Sequence, residues 1–141
     1  MKEILFKAKV KDWRERPKKE WWVYGDAIHE LIGMTIKHME HGMPVRVPVD
    51  PETLCQYICM NDKNGSWIWE NDIISINTYS YMEPEEDYFG KIVYVEGWGC
   101  WCIQQPGEEK PIPLCECEGS YLTERVVEGN IFDNPEMMKE E

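Results

Sequence analysis

The 141-residue chain has no apolar run approaching the ~20 residues that a membrane-spanning helix needs, and no basic stretch followed by an apolar one like that of a secretory leader. It also has no Gly-rich phosphate loop, no His-Glu-x-x-His and no ordered set of Ser, His and Asp. Histidine is scarce: His29, His38 and His41 are the three it holds. His38 and His41 have His-x-x-His spacing, but without a paired carboxylate motif surface histidines account for it. A Cys/His nucleophile pair could be assembled from these residues, yet no local signature singles one out, and the many carboxylates are explained by a solvated acidic surface. These absences point away from an enzyme, a cofactor and a membrane span, and the chain is expected to be soluble and cytosolic.

Positive charge is also short, and it is unevenly placed. The net charge of −12 divides into +4 over residues 1–24, −5 over 25–82 and −11 over 83–141. An acidic protein repels phosphate backbones, so general nucleic-acid binding is disfavoured. One local exception exists. Lys7, Lys9 and Lys11, with Trp13, Trp21 and Trp22 among further cations up to Lys19, form a basic and aromatic strip of the kind that grips phosphates and stacks on bases. Asp12, Glu15 and Glu20 interrupt it, as in a solvated hairpin loop whose cations meet acidic surface of the same chain or of a neighbour.

What the chain does contain is strand signal. Ile4, Phe6, Ala8 and Val10 alternate with polar neighbours apart from Leu5, the two-residue period of a half-buried strand. Residues 11–20, with Pro17, form a connection, 21–24 a returning strand, and Gly25-Asp26 a bend. Residues 27–40 are open between two forms. Ala27, Ile28, Leu31, Ile32, Ile36 and Met39 fit one helical face with Asp26 as cap, whereas Gly33 argues against a helix by about 1 kcal/mol relative to Ala. Val45, Val47 and Val49 alternate beside Pro44 and Pro48, which confines that strand to an edge.

The chain is organised around residues 53–76. Asn61-Asp62-Lys63-Asn64-Gly65 gathers residues that tolerate positive φ or bond their own backbone, so the chain reverses there. Strand-compatible residues precede this corner, and Trp67-Ile68-Trp69 then leads through Glu70-Asn71-Asp72 into Ile73-Ile74-Ser75-Ile76. Further on, 83–87 form a charged loop, 88–95 a strand, 96–97 a turn, 98–104 a strand, 105–111 a loop, 112–118 a strand and 121–132 the last extended region. Asn134-Pro135 is expected to end ordered structure, with a frayed tail over 137–141.

Thr53, Gln56, Asp62-Lys63-Asn64-Gly65, Glu70, Asp72, Ile73 and Ile74 together resemble the pattern of YopX-like proteins, as do the opening Met1-Lys2-Glu3-Ile4-Leu5-Phe6-Lys7-Ala8, Trp22-Val23-Tyr24-Gly25 and the closing run from Glu128 to Glu136. The chain departs at Asn71, where that family usually has Gly; Asn is the next most tolerant of left-handed backbone, so the same bend is expected. The resemblance implies a mainly β protein from a phage or prophage, draws residues 27–40 toward extended structure, and brings no active-site residues with it. Strand spacing adds a small barrel or sandwich with little helix, and Asn71-Asp72-Ile73-Ile74 followed by Gly90-Lys91-Ile92-Val93-Tyr94-Val95 and Gly97 is similar to an SH3-like barrel. A single domain over 1–141 is expected, divided into an N-terminal β-rich subdomain or arm at 1–52, a barrel portion at 53–136 and a tail.

The cysteines carry the sharpest chemical hypothesis. Cys100 with Cys102, and Cys115 with Cys117, each share a strand face; if Cys100 lay opposite Cys117, Cys102 would lie opposite Cys115, and four sulfurs could take zinc in a reducing cytosol. Cys-x-Cys is not the usual zinc knuckle, and buried free cysteine is an ordinary core residue, so no metal is assigned. Cys55 and Cys59, four apart, would repeat a strand face. Trp67, Trp69, Trp98 and Trp101, joined by Trp21 and Trp22, divide between core and a self-association surface. The function expected is a non-enzymatic interaction or homo-oligomeric assembly module with an unidentified protein partner; the alternative is nucleic-acid binding through the basic N-terminal hairpin.

Overall fold

The computed structural model describes residues 5–31, 33–82, 84–118 and 122–139. Ile4, Ile32, Glu83, Tyr121, Glu140 and Glu141, all used in the reading above, lie outside them. The chain is mainly β, as expected, with two antiparallel sheets; among the described residues helical structure is confined to short 3-10 turns. It separates into two compact units, residues 1–57 and 58–141.

The first unit contains β1 (Phe6–Lys9), β2 (Trp22–Glu30), β3 (Gly33–Glu40), β4 (Met43–Val49) and the start of β5 (Cys55–Asn61), in the order β4-β3-β2-β1-β5. Residues 27–40 are therefore extended. The bend expected at Gly25-Asp26 is instead a handover inside one strand: β2 pairs with β1 through Trp22–Gly25 and with β3 from Asp26 onward. Gly25 is required there, because a Cβ would lie 2.2 Å from the Lys37 carbonyl oxygen. His41 and Gly42, with φ of 50° and 80°, form the two-residue turn from β3 to β4. Pro44 and Pro48 occupy the edge strand β4, as their missing N–H groups dictate. Ala8, Met34, Ile36 and Val49 form the core, packed by Phe6, Val23, Ala27 and Leu54.

The second unit takes the remainder of β5, then β6 (Trp67–Trp69), β7 (Asp72–Tyr79), β8 (Glu86–Val95), β9 (Cys100–Gln104), β10 (Ile112–Pro113) and β11 (Leu122–Asn130). Its main sheet runs β10-β9-β8-β7-β11 and stays open, so the barrel is not closed. Ile58, Ile68, Ile74, Ile76, Ile92, Ile103 and Leu114 fill its core. Glu86 and Asp87 belong to β8 rather than to the preceding loop, and Trp98 belongs to the turn before β9. Beyond Asn134 a 3-10 turn, Pro135–Met138, continues the fold, which corrects the expected end of order.

The corner at 61–65 forms as read, and Asp62 organises it. Asp62 is buried; its Oδ1 accepts from the N–H groups of Asn64 (2.9 Å) and Ser66 (2.8 Å), and its Oδ2 from Val127 N–H (3.0 Å). Lys63 N–H donates to the Arg125 carbonyl at 2.9 Å, so the corner satisfies β11 on the side away from β7. Asn71 has φ 70°, the left-handed bend expected of it, with its N–H on the Ile92 carbonyl and its carbonyl receiving Ile131 N–H. Asn71→Ala should therefore lower stability by about 1 kcal/mol while Asn71→Gly stays within about 0.5 kcal/mol of the parent, a contrast readable as urea midpoints. Equal effects would show that the backbone at 71 relaxes freely.

Candidate functional site

Lys7 and Lys9 share one face of β1 because side chains alternate along a strand, while Ala8 points into the core. Both lysines are buried, Lys9 completely. The Lys7 ammonium lies 4.5 Å from the centroid of the Trp22 ring. The Lys9 ammonium lies over three rings: Trp13 at 3.8 Å, Trp21 at 4.1 Å and Trp22 at 5.5 Å. Trp22 arrives opposite Lys9 through strand register, and Trp13 and Trp21 arrive from the connection, which coils into 3-10 turns at Trp13–Glu15 and Lys18–Glu20. Trp21 Nε1–H donates to the Arg16 carbonyl (2.8 Å), Trp13 Nε1–H to Asp50 Oδ2 (3.3 Å), and the two rings meet edge to face at 4.9 Å.

Chemically this is a tryptophan cage with a cation of its own chain inside it. The exposed cations of the strip are Lys11, Arg14, Arg16, Lys18 and Lys19, of which Arg16 pairs with Asp12 at 2.8 Å and Arg14 stacks on Trp13 at 4.2 Å. The structure thus brings together Lys7, Lys9, Trp13, Trp21 and Trp22, and leaves Lys11 on the surface.

The remaining tryptophans divide between interior and surface. Trp69 is buried and Trp101 packs on the core of the second unit, whereas Trp67 and Trp98 are 42% and 47% exposed. Trp98 borders a groove of about 430 Å³ shared with Lys110, Pro111, Ile112, Pro113 and Glu116. Tyr94, also exposed, stands beside the same turn and meets Trp101 edge to face at 5.1 Å. The Gly97-Trp98-Gly99 setting, which puts a large ring at the tip of a turn, was the available sequence signal for this surface.

The cysteines do not adopt the register that would set Cys100 opposite Cys117. The ladder pairs Ile103 with Ile112 and Cys102 with Pro113, and Pro113, lacking an N–H, is its last residue. Leu114–Cys117 then forms a 3-10 turn in place of the expected strand. Cys100 and Cys102 bring their sulfurs to 3.8 Å, but among the described residues no three His, Cys, Asp or Glu side chains are placed to share a metal ion. Cys59, with φ 66°, is exposed while Cys55 is buried, so these two do not repeat a face either.

Burial pushes the Cys102 thiol up to about 12, with the neighbouring Cys100 adding to it, and burial followed by the charge of Glu116 pushes Cys117 up to about 11. Alkylation of the native protein near pH 8 should modify Cys59 and Cys115 first and spare Cys55, Cys102 and Cys117 until denaturant is added, as counted by intact mass. Rapid native labelling of Cys102 would contradict this packing.

Among the described residues no helix is long and apolar enough to cross a membrane. No curated protein and no solved structure matches the chain. The family model described as YopX protein matches residues 2–139, nearly the whole length, and the chain belongs to that family.

Proposed function

We propose that this protein is a non-enzymatic interaction module of phage or prophage type, working in a host cytosol by assembling with copies of itself. The observation that carries the reading is the exposed aromatic surface at Trp98 and Tyr94, next to a groove walled by two prolines. Large aromatics left on a surface in this way are characteristic of interface centres.

Strand addition at a sheet edge is the less favoured route to such an assembly. β4 carries Pro44 and Pro48, β10 has two residues flanked by Pro111, and β11 is occupied by the Asp62 corner. Side-chain docking is the better fit. The cysteines, all free thiols, suit a reducing compartment.

Static light scattering behind gel filtration, run across a hundredfold range of concentration, tests the assembly. A discrete oligomer that Trp98→Ala reduces toward monomer supports it. A wild-type protein that stays monomeric throughout overturns it.

A further inference from the structure

We infer that the Trp98 groove receives the basic turn around Lys18 and Lys19 of a second copy, with a lysine cation seated on the Trp98 ring and against Glu116. This rests on the assembly reading above and names the surfaces it uses.

Charge complementarity supports the pairing. Residues 1–57 contain ten Lys or Arg against nine acids, whereas residues 58–141 contain five against eighteen. The negative charge of the chain is therefore almost all on the second unit. Glu116 is the exposed carboxylate and Lys110 the cation in the lining, and Glu108 and Glu109 are exposed on the loop that leads into it. An exposed tryptophan with a carboxylate in the same groove offers a Lys or Arg side chain both a ring face and an ion pair. Lys110 already shows that the ring accepts a cation. Its ammonium lies 5.9 Å from the Trp98 centroid, at the outer limit of the interaction, so the seat is only loosely held.

The proposed occupant projects from the same chain. Lys18 and Lys19 lie exposed on a 3-10 turn closed by its own backbone hydrogen bonds, Glu20 N–H on the Pro17 carbonyl and Trp21 N–H on the Lys18 carbonyl. Lys7 and Lys9 are withdrawn under tryptophan rings, Arg14 stacks on Trp13 and Arg16 pairs with Asp12; of the exposed cations that remain, Lys11, Lys18 and Lys19, the turn presents two side by side, Lys18 with its ammonium 5.8 Å from the Trp21 centroid. The contact joins two different surfaces, so copies meet reciprocally as a dimer or head to tail, as a ring where the rotation closes and as a filament where it does not.

The test is charge reversal followed by mixing. Lys18→Glu with Lys19→Glu, and separately Glu109→Lys with Glu116→Lys, should each shift the wild-type oligomer to monomer with unchanged urea midpoints. Mixing the two variants should restore a species containing both, because a reversed turn then meets a reversed groove, and salt should dissolve it. A wild-type oligomer indifferent to both reversals, or single-variant monomers that fail to combine on mixing, overturns this inference and leaves the assembly reading standing. A wild-type monomer removes both.

Discussion

Asp62→Ala is expected to destabilise the second unit by about 3 kcal/mol, because it strips the acceptor from three backbone N–H groups belonging to two separate segments. Asn64 and Ser66 lie in the corner itself; Val127 lies on β11, 65 residues away in sequence. Losing the first two loosens a turn. Losing the third also uncovers the strand edge that the corner protects, so the variant should aggregate more readily when warmed. Asp62→Asn retains one acceptor oxygen and should cost less than the alanine change.

The same carboxylate gives the protein a defined acid sensitivity. Burial raises the pKa of Asp62, but the N–H groups of Val127, Ser66 and Asn64 and the charge of Lys63 outweigh it, and the net displacement is downward from the ordinary 3.8. A group whose pKa is lower in the folded than in the unfolded chain contributes stability above its unfolded value and loses it as pH falls through the folded one. The Asp62 contribution is thus complete at neutral pH and disappears below about pH 4. Asp62→Asn should flatten the stability curve on the acid side while lowering it at pH 7. Parallel curves for parent and variant below pH 4 would show that the carboxylate is not held as described.

These features differ in how far they can be read from the chain. The corner is local chemistry: Asn, Asp and Gly within five residues specify a reversal wherever they occur, and Asn71 keeps a left-handed position because few other residues can. The prolines of β4 likewise announce an edge. Residues 27–40 stay ambiguous in sequence because Ala27, Ile28, Leu31 and Ile36 fit one helical face, whereas in the fold β2 ends at Glu30 and leaves Leu31 exposed, a break fixed by the pairing of β3 with β2 and β4. The 112–118 strand fails for a reason visible only with the ladder in place: Pro113 falls where its pairing with Cys102 is the last that β10 makes. Most opaque is the fate of Lys7 and Lys9. Alternation places them on the face opposite Ala8, which in an isolated strand is solvent; the pairing with β2 brings Trp22 to Lys7, and only the coiling of residues 11–21 brings Trp13 and Trp21 over Lys9. The Trp98 groove has the same dependence, since its walls come from the turn before β9 and from the approach to β10.

Lys9 is where that long-range packing can be tested most severely. Its ammonium is fully buried within 5.5 Å of three tryptophan centroids, and its own backbone N–H is fixed to Thr53 Oγ1 at 2.8 Å. The negative faces of the rings stabilise a cation, by about 2 kcal/mol when it is desolvated. They repel a carboxylate, which would also have to be buried without its solvent. Lys9→Glu should therefore cost more than about 4 kcal/mol and leave the first unit unfolded or molten, seen as loss of near-ultraviolet tryptophan dichroism. Lys9→Met separates the two contributions of the native side chain, because methionine keeps an unbranched apolar stem and removes the charge. If the cation holds the cage, Lys9→Met loses about 2 kcal/mol and the Trp13 and Trp21 rings gain mobility; if the rings merely pack on the stem, the variant matches or exceeds the parent in a urea titration, as replacement of a buried charge by an apolar group can. The second result would make the cage an ordinary part of the core. The first would make Lys9 the residue that orders residues 11–21 and so sets the position of the exposed Lys18 and Lys19.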